Sequence, residues 1–239
     1  MIFLETRDII KWWNFPRATI INRNLPKALI YSHIKNQAQK QYLQDNMKSI
    51  YVLANLKTSN TNIAQYENDN ELYQEVQFLY VRTNGKSDLK KIYKILLNLI
   101  PYPLVILNEE PSGYSIYTGK FEKLSNGFLK LLKIYPSQIY NNKDLKCALQ
   151  QFSINSLPKQ NFKTFYNGLS DKIAASLARK QYGEKVGSVT REEKDELDDL
   201  NKKIENLRVK IKREHQLNRK IDMQMRKKKL EEEFFNKLT

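Results

Sequence analysis

Acidic residues beside two predicted strands are the groups in this sequence that could do catalytic chemistry. A metal-dependent nuclease needs two or three carboxylates, usually with a lysine, that converge at strand ends to hold a divalent ion. Gln77 occupies the position where such a nuclease would need its lysine. The alternative interpretation is that these acids are solvated surface residues beside a strand. The acids at such places are Asp69, Glu71, Glu75, Glu109 and Glu110.

Other common catalytic and ligand-binding motifs are missing. The sequence contains no phosphate-binding P-loop, no dinucleotide-binding glycine motif, no nucleophile elbow and no kinase signature. A single cysteine, Cys147, excludes an intramolecular disulfide and a cysteine-rich zinc site, and its helical surroundings predict a buried position. His33 and His215 lie far apart and away from carboxylates at metal-ligand spacing. We therefore predict no metal and no cofactor, and the sequence leans away from an enzyme.

The chain is strongly basic, and most of the surplus precedes its C-terminal fifth. Its 239 residues contain 41 Lys and Arg against 26 Asp and Glu, a net charge of +15. Residues 1–190 carry 26 basic and 14 acidic side chains, whereas residues 191–239 carry 15 and 12. Such a surplus favours a polyanionic partner, with nucleic acid before an anionic membrane, although lysine used as surface filler is the alternative explanation.

Two clusters of cations are the candidate nucleic-acid contacts. One surrounds a segment framed by Pro16 and Pro26, and the other lies at the start of a predicted helix. Such cations neutralise phosphates, and aromatic residues near them stack on bases. Trp12, Trp13 and Phe15 are near the first cluster, but residues this large more often form core. The candidate contacts are Arg17, Arg23, Lys27, Lys86, Lys90, Lys91 and Lys94. No compact sequence-reading motif accompanies them.

The elements that must position these residues predict an α+β fold that starts with a small mixed α/β domain. Apolar spacing predicts a helix over residues 1–13 and strands over 50–58 and 73–83. A helix capped by Ser87 follows, and two further strands flank the turn "EPSG" as a hairpin. The order of helix, two strands, helix and hairpin indicates α+β architecture, followed by a helical middle region.

Composition predicts four segments along the chain. Residues 1–123 form the basic α+β domain, 124–182 form a helical region packed on it, 183–189 are a linker, and 190–238 are a C-terminal coiled coil. The longest apolar run, around Ile95–Leu107, is interrupted by an asparagine and two prolines. No membrane span is therefore expected, and we predict a cytoplasmic protein.

The C-terminal segment begins with capping-box spacing, from Thr190 to Glu193, and continues as an apolar heptad seam. The seam turns polar over residues 214–218, with no glycine or proline there to force a reversal. Two arrangements fit: one long coiled-coil helix with a polar step, or a helical hairpin that reverses near 214–218. The predicted partner-binding residues are Leu200, Ile204, Leu207, Ile211, Asn218, Ile221 and Met225.

Two stretches resemble parts of a known family. The first has the pattern P-x-x-T-x-x-N-x-x-L-P-K, formed by Pro16, Thr19, Asn22, Leu25, Pro26 and Lys27. The second is the basic tail "KIENLRVKIKREHQLNRKIDMQ". Both are similar to a bacterial domain-of-unknown-function family, number 4391, and the likeness runs from about residue 14 to 235. The resemblance implies no activity and no catalytic residue. It does imply gene neighbours of the restriction-helicase and DNA-methyltransferase types, and hence an accessory role in restriction-modification or phage defence.

These observations predict a non-catalytic accessory protein. Its basic body contacts the DNA backbone, and its C-terminal helix binds a protein partner. That partner is a helicase or methyltransferase subunit of a defence system, or a second copy of the chain as a homodimer. Two alternatives stay open: an assembly adaptor without DNA contact, and the metal-dependent nuclease. No membrane partner is expected.

Overall fold

The computed structural model describes residues 4–85, 87–183 and 186–238. They form two compact units, the body, which ends at Ile173, and a C-terminal unit, which begins at Ala174. No helix within the described ranges has both the length and the apolar content of a membrane span.

Helices and strands alternate in the first half of the chain, and helices dominate the second. The helices are α1 (Thr6–Trp13), α2 (Lys27–Ser32), α3 (Gln37–Asn46), α4 (Thr58–Thr61), α5 (Leu89–Leu99), α6 (Asn142–Gln151), α7 (Phe162–Tyr182), α8 (Arg191–Arg213) and α9 (Leu217–Leu238). The strands are β1 (Ile20–Asn24), β2 (Met47–Lys57), β3 (Tyr66–Glu67), β4 (Leu72–Tyr73), β5 (Glu75–Thr83), β6 (Leu104–Glu110), β7 (Gly113–Lys123) and β8 (Leu129–Pro136). Short 3-10 turns cover Arg17–Thr19 and Ile154–Ser156.

The body is built on a six-stranded mixed sheet with the strand order β1-β2-β5-β6-β7-β8. Its described strands pair antiparallel except for β5 and β6, which run parallel. Parallel neighbours need a crossover, and α5 supplies it. The carboxyl ends of β5 and β6 therefore meet at one edge of the sheet.

The core of the body contains a cluster of aromatic rings on one side of the sheet. Trp13 of α1 is fully buried, and its ring lies 5.1 Å from that of Phe78 on β5. Phe15 packs against both rings. The indole N–H of Trp13 donates to the carbonyl of Phe152 at 3.1 Å, which ties α1 to the end of α6. Trp13 and Phe15 are therefore core residues rather than base-stacking groups.

The structure confirms the α+β fold class and corrects three details. The segment predicted to be helical from residue 124 begins with β8, an edge strand that pairs along β7. Asp88 rather than Ser87 caps α5, because its carboxylate accepts hydrogen bonds from the amides of Lys90 and Lys91. Cys147 is exposed on α6 instead of buried.

The C-terminal unit contains the hairpin, the name used below for α8 and α9 together. Thr190 and Glu193 form the predicted capping box at the start of α8. Glu214 has an extended backbone and ends α8, and α9 begins at Leu217. Of the two arrangements predicted from the sequence, the helical hairpin is therefore the one observed.

Candidate functional site

A cleft of about 700 Å³ opens in the body at the carboxyl ends of β5 and β6. In sheets with parallel strands, ligands commonly bind in the crevice outside these ends. The cleft is lined from the beginning of β2, the ends of β5 and β6, the β6–β7 turn and the first residues of α6. Its lining residues are Lys48, Arg82, Thr83, Glu109, Glu110, Pro111, Ser112, Gly113, Tyr114, Asn141, Asn142 and Lys143.

Arg82 and Glu109 form an ion pair in the wall of the cleft. They are in register on the parallel strands β5 and β6, so their side chains project from the same face. The guanidinium Nη2 lies 3.0 Å from the Glu109 carboxylate, and the two side chains are 29% and 18% exposed. A half-buried arginine held by a carboxylate on a rigid strand presents its remaining N–H donors in a fixed geometry.

Tyr80 supports this ion pair from two residues earlier on β5. Its hydroxyl donates a hydrogen bond to the same Glu109 carboxylate. Burial, followed by the hydrogen bond to Glu109, raises the pKa of Tyr80 well above that of a free tyrosine. The phenol therefore stays protonated and acts as a donor. The Glu109 carboxylate accepts hydrogen bonds from both Tyr80 and Arg82.

Two lysines in the cleft lack acidic partners. Lys48 on β2 and Lys143 in the first turn of α6 are exposed, and neither forms an ion pair with any residue that the structure describes. The Asn141 side chain caps α6 by accepting from the amides of Lys143 and Asp144, at 2.8 and 3.0 Å. Among the cleft's acids, Glu110 accepts a hydrogen bond from the Ser112 hydroxyl at 2.6 Å. The lining carries three cations and two carboxylates, which suits a singly charged anion.

Two glycines close the loops around the cleft. Gly85 has a φ of +79°, and a Cβ there would lie 2.7 Å from Cδ of Pro111. Gly113 has a φ of +135°, and a Cβ there would lie 2.5 Å from the carbonyl oxygen of Tyr140. Both positions therefore require glycine, because a side chain would be strained and would push the β5–α5 loop or the β6–β7 turn out of place.

The predicted phosphate contacts are exposed, but they lie on two different parts of the body. Arg17, Arg23 and Lys27 lie in the 3-10 turn, in edge strand β1 and at the start of α2. Lys90, Lys91 and Lys94 lie on the exposed side of α5. Lys91 packs over the Tyr42 ring, with its Nζ 3.8 Å from the ring centroid. Lys86 lies outside the described residues. Because β5 ends at Thr83 and α5 begins at Leu89, Lys90 and Lys91 are near the edge of the sheet that holds the cleft.

The carboxylates considered for a nuclease are separated in the structure. Glu71 pairs with Lys163 at 2.6 Å, and Glu75 accepts a hydrogen bond from Asn55 at 2.8 Å. Glu109 and Glu110 line the cleft. Within the described part of the chain, no three His, Cys, Asp or Glu side chains are grouped so as to hold a metal ion.

The predicted partner-binding residues differ in exposure along the hairpin. Leu200 and Ile204 of α8 are buried, and Leu207 and Ile211 are half-buried. By contrast, Asn218, Ile221 and Met225 of α9 are exposed. The α8 half of the predicted seam therefore contributes to the interior, and the α9 half is exposed.

Sequence reasoning did not identify Lys48, Arg82 and Lys143 as neighbours. A signal was present for Arg82, since two strands joined by a helix are commonly parallel and bring their carboxyl ends together. Lys48 and Lys143 come from distant segments, and only the strand order and the α6 position bring them to the cleft.

Comparison with known proteins gives one family. The chain matches a family described as "Domain of unknown function (DUF4391)" over residues 13–234. No curated protein and no solved structure matches the chain. The match covers both the body and the hairpin, and its description supplies no activity.

Proposed function

The chain belongs to the DUF4391 family, whose function is unknown, and from the geometry of the cleft we propose that its body binds the phosphate backbone of DNA without catalysing a reaction. The C-terminal helices bind a protein partner. On this proposal the protein is a cytoplasmic accessory component of a restriction-modification or phage-defence system.

The main support for this proposal is that Lys48 and Lys143 line one cleft without acidic partners. They lie there together with Arg82, which Glu109 holds in place. A phosphodiester carries one negative charge, and lysine and arginine are the side chains that most often neutralise it. The backbones of β2, β5 and α6 are held by the core, so the three cations start from fixed positions around the cleft.

Further cations extend this surface beyond the cleft. Lys90 and Lys94 are exposed on α5 and make no ion pair with described residues. Lys90 stands in the first turn of that helix, at the same edge of the sheet as Arg82. Several contacts along a backbone are needed for useful affinity, because each neutralised phosphate contributes only a part of it.

Binding to a short duplex, measured by fluorescence anisotropy between about 50 and about 200 mM salt, tests the proposal. The unmodified chain should bind at low salt and weaken steeply as salt rises. Replacing both Lys48→Gln and Lys143→Gln should lower the slope of log affinity against log salt by about 2, because each lost phosphate contact lowers it by about 0.9.

Lys35→Gln with Lys159→Gln is the matched control, because neither lysine forms an ion pair with any residue that the structure describes. Both lysines are exposed on the body and lie outside the cleft, so this variant has the same net charge as the cleft variant. It should leave the slope nearly unchanged. Absence of binding at low salt would favour the adaptor without DNA contact, and an equal loss in both variants would show that charge matters but the cleft does not.

A second candidate, phosphodiester hydrolysis, is favoured by one observation: Glu109 and Glu110 line the same cleft as Lys48 and Lys143. Plasmid DNA incubated with Mg²⁺ or Mn²⁺ tests it. Cleavage by the unmodified chain that disappears in Glu110→Gln would replace the non-catalytic proposal. Intact plasmid with either ion would leave it standing.

The accessory role needs a different experiment. Affinity purification of the full chain from its native host, followed by mass spectrometry, should recover a restriction-type helicase or a DNA methyltransferase. Recovery of the chain without any defence component would contradict this part of the proposal.

A further inference from the structure

Helix α9 has an outer face that the hairpin leaves uncovered. None of the residues of α9 is buried. Its side toward α8 is marked by two ion pairs, Arg208–Glu231 at 3.2 Å and Lys237–Glu196 at 2.6 Å. The apolar side chains farthest from that side are Leu217, Ile221, Met225 and Phe235, which are 70%, 45%, 60% and 65% exposed.

These four residues share one side of α9 and are called the α9 stripe below. Lys228 and Glu232 lie on the same side between Met225 and Phe235. Leu217, Ile221 and Met225 follow at intervals of four, and Phe235 lies eighteen residues after Leu217, which is five full turns of an α-helix. The stripe therefore spans about 27 Å of the helix. Exposed apolar side chains repeated along one side of a helix are typical of a protein–protein contact.

The hairpin is also polarised in charge along its length. Residues 202–229, the basic end, contain twelve cations and three acids, a net of +9. Residues 191–201 with 230–238, the acidic end, contain nine acids and three cations, a net of −6. The ion pair between Glu196 and Lys237 shows that the two segments of the acidic end lie together in the folded hairpin.

Charges of the basic end are mostly without acidic partners. Arg208 pairs with Glu205 and Glu231, and Lys227 pairs with Glu231. The remaining cations of the basic end form no ion pair within the described part of the chain. All three cations at the acidic end, Arg191, Lys194 and Lys237, are by contrast paired with acids of that end.

We infer that the α9 stripe is the interface for a second copy of this chain, with the two hairpins antiparallel. A two-fold axis across the middle of the stripe, near residue 226, places Glu231, Glu232 and Glu233 of each copy opposite Arg219 and Lys220 of the other, and it brings the cations at 226–229 of the two copies together. A parallel arrangement would bring the same cations together and would also place the three glutamates of one copy beside those of the other, so the charges favour the antiparallel one. This specifies the protein partner of the C-terminal helices, rests on that half of the proposed function alone, and is independent of DNA binding by the body.

A purely anionic partner fits the same surface less well. Nucleic acid or an anionic membrane would match the basic end and the first three residues of the stripe. Phe235, however, follows Glu231, Glu232 and Glu233, where a polyanion is repelled. A second copy covers the whole stripe and places cations opposite these three acids.

Sedimentation equilibrium of the full chain, free of nucleic acid, tests the interface. The unmodified chain should be dimeric at micromolar concentration. Replacing both Ile221→Ser and Met225→Ser should raise the dimer dissociation constant by about 100-fold or more while the helix content by circular dichroism stays the same. Val209→Ser, at an exposed apolar position on α8, is the matched control and should remain dimeric.

Orientation is tested by cross-linking in a Cys147→Ser background. A mixture of Leu217→Cys and Phe235→Cys chains should form a disulfide between the two kinds of chain, because antiparallel stripes bring these positions together. Leu217→Cys chains alone should not cross-link. Cross-linking of Leu217→Cys with itself, or a dimer unaffected by the double serine variant, would overturn the inference.

A chain that is monomeric under all conditions would also overturn it. If that monomer loses DNA affinity in Lys228→Glu with Lys229→Glu, the basic end is a nucleic-acid contact instead. The cleft variant in the body reports separately on the proposed function, so failure of one proposal is distinguishable from failure of the other.

Discussion

The body buries its large apolar side chains, whereas helix α9 of the hairpin leaves several of its own exposed. The body buries a continuous core that includes Trp13, Phe78 and Leu104, each with no exposed surface. Helix α9 has no buried residue and exposes Leu217 and Met225 by more than half. A unit that covers its own apolar surface can fold alone, whereas an amphipathic helix with a second apolar line has surface left for a partner.

Charge distinguishes the two regions in the same way. In the body, ion pairs such as Lys123–Glu67 and Lys163–Glu71 join residues far apart in sequence and stabilise the fold. In the hairpin, acids and cations are separated toward its two ends. The first pattern joins distant parts of one fold, and the second leaves opposite charge at the two ends of the hairpin.

The largest expected effect is a difference in the free energy of unfolding between a core substitution in the body and a surface substitution on α9. Phe78→Ala should lower the free energy of unfolding by about 3–5 kcal/mol, because it leaves a cavity beside Trp13 and Phe15. Phe235→Ala should change it by less than about 0.5 kcal/mol in dilute protein, because the side chain is exposed. Urea unfolding at low protein concentration measures both. Similar losses in the two variants would remove the contrast.

A smaller loss of stability is expected when the support of the Arg82–Glu109 pair in the cleft wall is removed. Tyr80→Phe removes the hydroxyl that donates to Glu109, at a cost of about 1.5–3 kcal/mol for a hydrogen bond to a charged group. The Arg82–Glu109 pair should survive, so DNA affinity should fall less than in the cleft variant. Urea unfolding and anisotropy on the same sample check this. A loss of affinity without a loss of stability would instead place the Tyr80 hydroxyl in direct contact with the ligand.

The smallest effect concerns the start of α8. Thr190→Ala should destabilise the hairpin by about 1 kcal/mol, because it removes the side chain that accepts from the amide of Glu193. Hydrogen bonds from the backbone and side chain of Thr190 lower the pKa of Glu193. This stabilisation is therefore present above the ordinary glutamate pKa of about 4.3 and is lost as pH falls through the lowered value.

Hydrogen exchange of the α8 amides, compared between neutral and acidic pH, measures this effect. The difference between the unmodified chain and Thr190→Ala should shrink at the lower pH. A difference that stays constant with pH would mean that Glu193 does not take part in the cap.

Most helices and strands of the body could be predicted from the sequence, because the local apolar patterns agree with the way these elements pack. Alternation along β5 and the apolar face of α5 predict a strand and a helix where the structure has them. Strand β8 was missed because its leucines and lysines also fit a helix, and only pairing with β7 decides between the two. The buried position expected for Cys147 failed because α6 turns that side to solvent.

For the hairpin and the cleft, the missing information was tertiary. No glycine or proline marks the reversal, so the extended backbone at Glu214 and the contacts between α8 and α9 decide it. Lys48 and Lys143 lie far apart in sequence, and strand order brings them to one cleft. Such proximity depends on topology, which local patterns do not encode.

The exposed Cys147 makes the cleft open to direct optical measurement. It is the only thiol of the chain, and it lies one turn after Lys143 on α6, about 6 Å along the helix. A maleimide dye would therefore label the unmodified protein at a single known place, close to where a phosphate would bind. Its emission would report occupancy of the cleft in real time, without mutagenesis.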